Sequence, residues 1–169
     1  QKPINHIEVC QVVRNAKNQI ENVKVLAAIR GVFALQNSAK KDSREDELRQ
    51  RLRYILSQLG MSGERGTQDI IDACCFVREH GGTVSSSGIR ALCMALCPDA
   101  PKSTEQRMRR AIERSLRHIA SLGLEDYTNE VFVRYATHLF PFEEVRREMA
   151  AIQGRGRGGH VSVKTFLDG

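Results

Sequence analysis

Tryptophan is absent from this sequence and aromatic residues amount to only 5% of it, so a β-rich core built on aromatic side chains is disfavoured. No run of about 18 apolar residues occurs either, which argues against a membrane-spanning helix. The cysteines are few and irregular. Cys10, Cys74, Cys75, Cys93 and Cys97 form an odd set without the framework of a disulfide-stapled secreted domain. Cys74 and Cys75 are adjacent, and Cys93 and Cys97 lie one helical turn apart among apolar residues, so they read as small core side chains rather than metal ligands. No signal peptide precedes them, and a reducing cytoplasm is the expected setting. Catalytic signatures are missing too. None of His6, His80, His118, His138 and His160 falls in a HExxH, GxSxG or Walker pattern, or near a nucleophile at recognisable spacing. His118 and His138 read as helix-end or core-edge residues, and the pairs Asp69 with Asp72 and Glu143 with Glu144 as surface charge. The expectation is a protein that is not an enzyme, with no metal site and no cofactor.

What is present is a globular composition, 41% hydrophobic and 27% charged over 169 residues, which suits one compact domain plus an arm, or two very small domains. With the alternatives disfavoured, an all-α fold remains. Lys and Arg number 26 against 20 Asp and Glu, a net +6 with an isoelectric point near 9.3, and this favours a polyanionic partner. The excess is unevenly placed. Residues 51–101 carry five basic and five acidic side chains, whereas Lys102 to His118 carry six basic and two acidic ones.

Asn5 to about Asn37 lacks a helix breaker until Gly31 and reads as one or two helices. Between Val23 and Leu35 it is apolar almost all round and must pack on something. The polar stretch NSAKKDSREDE, from Asn37 to Glu47, reads as a linker or exposed turn. Leu48, Leu52, Ile55, Leu56 and Leu59 then form a helical stripe closed by Gly60. Thr67 is expected to cap a second helix running through Val77 to the Gly81-Gly82 pair, and Ser85 to Ser87 to cap a third that contains Ile89, Leu92, Cys93 and Leu96. A fourth helix starts at Ser103 and runs to about Leu122, a fifth spans Asn129 to Leu139, and a sixth begins at Pro141. From Gly154 the chain reads as a flexible glycine-arginine piece followed by VSVKTF, which alternates like a short strand.

The fourth helix carries the chemistry. Ser103 with Gln106 three residues on is a capping-box pattern, and a helix end with free N–H groups suits a phosphate. Met108, Ala111, Ile112, Ser115, Leu116 and Ile119 gather on one face as core. The opposite face collects Gln106, Arg110, Glu113, Arg114 and Arg117, with Arg107 and Arg109 on its flanks. A preceding helix, a turn and this basic helix make the arrangement of a helix-turn-helix, whose second helix enters the major groove. Arginine presents a fork to guanine O6 and N7, and glutamine can do the same for adenine. The plainer alternative is a solvated arginine face on an ordinary surface helix. The connection CPDAPKS is longer than the usual three or four residues.

From Ile55 to about Phe140 the chain resembles the effector domain of the sporulation master response regulator of endospore-forming bacteria, and still more the YcbB (GlnL-type) effector domains of glutamine-responsive regulators. The carrying stretches are ILSQLGMSGERGTQDIIDA and LCMALCPDAPKSTEQRMRRAIERSLRHI with the following SLG. The resemblance implies a bundle of about six helices with a helix-turn-helix, and places Arg107, Arg110 and Arg114 where that family's recognition helix meets DNA. Arg109 and Glu113 stand where the sporulation protein has opposite charges. QKPINHIEVCQVVRNA is in turn similar to the end of a phosphoacceptor receiver domain, with Lys2-Pro3 as the pair that closes its last strand. Together these resemblances imply the carboxyl-terminal part of a two-component response regulator. Residues 1–18 would be the last helix of a receiver, 19–43 a linker and dimerisation helix, 44–153 the effector domain and 154–169 the Gly/Arg tail. A cognate sensor kinase would act through a receiver domain absent from this chain, and the apolar segment, through Val25, Ile29 and Phe33, would pair two copies into a homodimer.

The function expected is sequence-specific binding of duplex DNA for transcriptional control in the cytoplasm, with no membrane partner. The recognition helix would be residues 103–121. Lys102, Ser103, Arg107 and Ser86 would meet phosphates, Gln106, Arg110 and Arg114 would read bases, and Arg109 and Arg117 complete the contact set. Two other readings use the same helix. An RNA-binding antiterminator would draw on Arg155 and Arg157, although the chain lacks the aromatic platforms of single-strand readers. A protein-interaction module would offer the arginines to an acidic partner.

Overall fold

The computed structural model describes residues 42–80, 84 and 88–169, together with Gln11, Arg14, Asn15, Lys24, Ala27 and Arg30. The chain divides into two compact units, Gln1–Asp46 and Glu47–Gly169. In the first unit the six isolated residues named above are helical and exposed. Lys2, Pro3, Val25, Ile29, Phe33 and Ser86 lie outside the described residues.

The described residues are helical, with no β-strand among them. The helices that can be followed through the described residues are, in order, α1 (42–58), α2 (Arg65–Glu79), α3 (Ile89–Leu96), α4 (Pro101–Glu125), α5 (Glu130–Tyr135), α6 (Phe142–Ile152) and α7 (Val163–Asp168). The stretch expected as a linker or turn is already helical from Asp42. Gly60, at φ +75°, ends α1: its N–H donates to the Ser57 carbonyl and that of Met61 to the Leu56 carbonyl. This is the reversal for which glycine is suited.

α4 is the axis of the bundle, roughly 37 Å long at 1.5 Å per residue. Along its inner side Met108, Ala111, Ile112, Ser115, Leu116, Ile119 and Ala120 are buried, and α2, α3, α5, α6 and α7 pack around it. Leu56, Leu59, Met61, Ile70 and Ile71 fill the space on the α1–α2 side. Gly66 lets α2 lie directly on the α4 backbone, since a methyl group there would overlap the Arg107 carbonyl. Gly123 does the same for α5, whose Phe132 ring occupies the space a side chain would need.

Several helix starts differ from expectation. α2 begins at Arg65 with Glu64 as its flanking residue, and Thr67 instead donates its hydroxyl to the Met61 carbonyl (2.7 Å). α4 begins at Pro101 and not at a Ser103 capping box, because proline's fixed φ and missing N–H suit the first helical position. α5 starts as anticipated after Asn129, whose side chain accepts from the Val131 and Phe132 amides, but its regular part ends at Tyr135. The expected terminal strand is a helix. The Ser162 hydroxyl accepts from the Thr165 N–H (3.3 Å), and Val163 and Phe166, three apart, both turn into the core. The alternation that suggested a strand is real only for Val161 and Val163, which are both buried at the point where extended chain becomes helix.

Candidate nucleic-acid interface

α3 and α4 are joined by residues 97–100, a four-residue turn. The Cys97 N–H closes α3 on the Cys93 carbonyl (2.9 Å) and the Ala100 N–H returns to Cys97 (3.3 Å). The connection is shorter than the sequence suggests because Pro101 and Lys102 already belong to α4.

α4 offers an outer face as polar as its inner face is apolar. Lys102, Ser103, Gln106, Arg110, Glu113, Arg114 and Arg117 are exposed along it, while Arg107 and Arg109 are half-buried on its flanks. Three of these arginines are held by different partners. Arg107 is held by Asp69 of α2, its Nε and Nη2 donating to the two carboxylate oxygens at 2.7 and 2.9 Å. Its Nη2 also donates to the Thr104 hydroxyl (3.0 Å) and its Nη1 to that of Ser103 (3.3 Å). The Asp69 hydrogen bonds hold this guanidinium still more firmly protonated than usual. Arg109 pairs with Glu105 one turn back (3.1 Å) and donates to the Val161 carbonyl (3.3 Å). Arg114 pairs with Glu64, the residue that precedes α2.

Lys102, Arg110 and Arg117 make no ion pair among the described residues. Arg110, Glu113, Arg114 and Arg117 line a groove of about 500 Å³ whose other wall is formed by Glu64, Glu148 and Gly159. The groove is thus mixed in charge, but two of its carboxylates are already engaged, Glu64 by Arg114 and Glu148 by the Gly159 N–H (2.8 Å).

The remaining sequence candidates lie elsewhere. The His80 ring stacks on Phe76 with centroids 4.0 Å apart, and His118 packs beneath Gly60. Burial pushes the Cys74 and Cys93 thiols up to about 11. Among the described residues no group of three or more His, Cys, Asp or Glu side chains is placed to hold a metal ion, and no helix is long and apolar enough to cross a membrane.

Sequence reading located the arginines but not their acidic partners. Asp69 is 38 positions from Arg107, and Glu64 is 50 from Arg114, separations that no local spacing rule connects. The one available signal was weak: Glu64 and Asp69 flank the start of a helix whose apolar face must meet α4.

The YcbB domain matches residues 51–169. The transcriptional regulatory protein GlnL of Bacillus subtilis (strain 168) is 31% identical over 193 aligned residues, which cover 98% of this chain and 62% of that protein. The chain therefore spans less than two thirds of the length of that relative. No solved structure matches it. Since the match takes in every helix from the middle of α1 to α7, the chain belongs to the YcbB domain family.

Proposed function

We propose that this chain is the DNA-binding part of a transcriptional regulator, in which α3, the turn 97–100 and α4 act as a helix-turn-helix and α4 enters the major groove. One observation carries the reading: Gln106, Arg110, Glu113, Arg114 and Arg117 stand exposed in a row on a helix whose opposite side is the core of the bundle. A rigid helix with an anchored inner face can present such a row without ordering its backbone at the moment of contact. Arg110, Arg114 and Arg117 suit guanine edges, Gln106 suits adenine, and Glu113 can accept from cytosine N4. Lys102 and Ser103, at the amino-terminal end of α4, meet phosphate, as does Ser86. Arg107 keeps α4 in place through Asp69 of α2, and Arg109 through the Val161 carbonyl, and both touch phosphate with the edges left free.

The printed name of the Bacillus subtilis relative supports a role in transcription. By the same reading the apolar segment containing Val25, Ile29 and Phe33 pairs two copies, and a sensor kinase acts through a receiver domain.

Selection of bound fragments from random duplex DNA supplies the target, and fluorescence anisotropy then measures affinity. Binding falls by about tenfold or more over a few-fold rise in salt, as expected when several phosphates are contacted. Arg110→Glu removes specific binding while the far-ultraviolet circular dichroism stays that of the parent. Unchanged target affinity in this variant would sink the assignment.

A further inference from the structure

A second groove, about 430 Å³ in volume, runs between the end of α4 and α6, and its lining includes Leu124, Tyr127, Phe142, Arg146, Met149 and Arg155. It shares no residue with the groove along the outer face of α4. Phe142, Arg146, Met149 and the C-cap Gln153 are spaced by four, three and four residues, which puts them on one side of α6. Glu144 and Glu148, which hold the chain around Gly159, fall on the opposite side.

Two features set this groove apart from ordinary surface. The first is its apolar area. Tyr127 is 58% and Phe142 38% exposed, and they converge there with the half-buried Leu124 and Met149. Apolar side chains scattered singly over a surface are common, whereas several gathered in a groove mark a contact site. These are also held in place from behind. The Tyr127 ring rests tilted against the buried Phe132 with centroids 5.0 Å apart, and the turn that carries it is fixed by Asp126, which accepts from the Thr128 N–H (2.8 Å) and hydroxyl (2.7 Å). Met149 packs against the core.

The second feature is charge. Arg146 and Arg155 are exposed and make no ion pair among the described residues, and no carboxylate lines the groove. Arg155 donates to the neutral Gln153 amide (2.8 Å), and its backbone is set by the reversal at Gly154, φ +76°, with the Arg155 N–H on the Ala150 carbonyl (2.7 Å). The acids of α6 are engaged elsewhere: Glu143 and Glu144 by Arg147 at 2.6 and 2.8 Å, and Glu148 by the Gly159 N–H at 2.8 Å.

We propose that this groove docks an acidic segment of a partner protein, whose apolar side chains cover Tyr127, Phe142 and Met149 and whose carboxylates meet Arg146 and Arg155. Aromatic residues, methionine and arginine are the side chains that protein interfaces favour, and the arginine fork matches a carboxylate. A nucleic-acid backbone would satisfy the arginines but leave the aromatic side chains uncovered. Since the groove is already formed, little ordering opposes docking. The inference does not depend on the helix-turn-helix reading, because the two grooves have no residue in common.

Display selection of random short peptides on the full chain shows what the groove takes, and fluorescence anisotropy of a labelled selected peptide measures it. The enriched peptides carry leucine or aromatic residues among aspartates and glutamates. Arg146→Glu/Arg155→Glu lowers the affinity for such a peptide by more than about tenfold, and Tyr127→Ala by about tenfold, as for a residue central to an interface. Arg53→Glu/Arg134→Glu makes the same change of charge at exposed residues outside the groove and leaves the affinity within about twofold, because charges beyond the screening length contribute little. No enrichment, enrichment of neutral or basic peptides, parental affinity in the groove variants, or an equal loss in the charge-matched control each overturns the proposal. So does a fall in duplex DNA affinity in Arg146→Glu/Arg155→Glu greater than in that control, which would make the groove a nucleic-acid contact. A dimeric parent that becomes monomeric on Tyr127→Ala would give the groove to a second copy instead.

Discussion

Asp69 grips Arg107 with both carboxylate oxygens, joining α2 to the outer flank of α4 nearly two turns from the start of that helix. The pair lies just where Gly66 allows the two backbones to touch, so the bond and the close approach reinforce each other. Side-chain exposures of 34% for Arg107 and 19% for Asp69 leave the pair partly screened by water. A forked, charge-assisted bond at such a site is expected to contribute about 1–2 kcal/mol, less than a fully buried one. Asp69→Asn removes the charge and one of the two acceptors while keeping the volume. Urea unfolding of this variant should show that loss, and a double-mutant cycle with Arg107→Gln should assign most of it to the pair. Additive single losses would show the two residues to be energetically independent.

Ser115 poses the opposite case. Its hydroxyl is fully buried on the inner side of α4 and finds no hydrogen-bond partner among the described residues. An unsatisfied buried hydroxyl costs about 1–3 kcal/mol, and alanine is the better helix former besides. Ser115→Ala is therefore expected to raise the urea midpoint, by the equivalent of about 1 kcal/mol, without altering the outer face on which the DNA reading depends. A fall in the midpoint would mean that the hydroxyl has a role in the native packing.

How far the sequence foretold this molecule follows from the range of each interaction. The division of α4 into a core face and a polar face was legible because a period of 3.6 residues is written in the chain itself, from Met108 to Ile119 on one side and from Gln106 to Arg117 on the other. The central position of α4 was not, since it depends on five other helices choosing that face. Local capping rules misplaced the start of α4 because Pro101 outweighs Ser103, and misplaced that of α2 because Thr67 spends its hydroxyl on Met61. The terminal segment was misread for a different reason. Phe166 packs its ring 5.6 Å from that of Phe140, 26 positions back, and together with Val163 it meets the core at helical spacing, which the local alternation does not show. The candidate interface was legible as charge and illegible as geometry: nothing local shows that Asp69 occupies Arg107, or that Glu148 fastens the glycine loop beside Arg114.

The thiols give the fold a response to alkaline pH. Burial is the main cause that raises Cys74 and Cys93 from 9.0 to about 11; neighbouring Cys75 adds to the first, and Glu105 and Asp69 to the second, against an opposing effect of Arg107. A raised folded-state value means that the native chain keeps protons which the unfolded chain releases. Stability is thus fully present below pH 9 and declines as pH climbs from 9 towards 11. The loss at pH 10 should be on the order of 1 kcal/mol per thiol. Comparing urea midpoints at pH 8 and pH 10 measures it, and Cys74→Ala/Cys93→Ala should flatten the difference. An equal pH dependence in that variant would assign the effect to other groups.

Asp168 ties the end of α7 to the connection between α2 and α3 by accepting from the Val84 N–H at 3.0 Å, across 84 positions of sequence. Val84 is buried, so its amide has no water to replace a lost acceptor. Asp168→Ala should cost about 1–3 kcal/mol, because the amide is left unsatisfied, whereas Asp168→Asn keeps a carbonyl oxygen in reach and should recover most of that. Hydrogen exchange at the Val84 amide is the sharper readout, since it reports this bond and not the whole fold. Faster exchange in the alanine variant, with near-parental protection in the asparagine variant, is the expected pattern. If alanine and asparagine behave alike, the charge of Asp168 matters more than its hydrogen bond, and α7 is held chiefly by Val163 and Phe166 in the core.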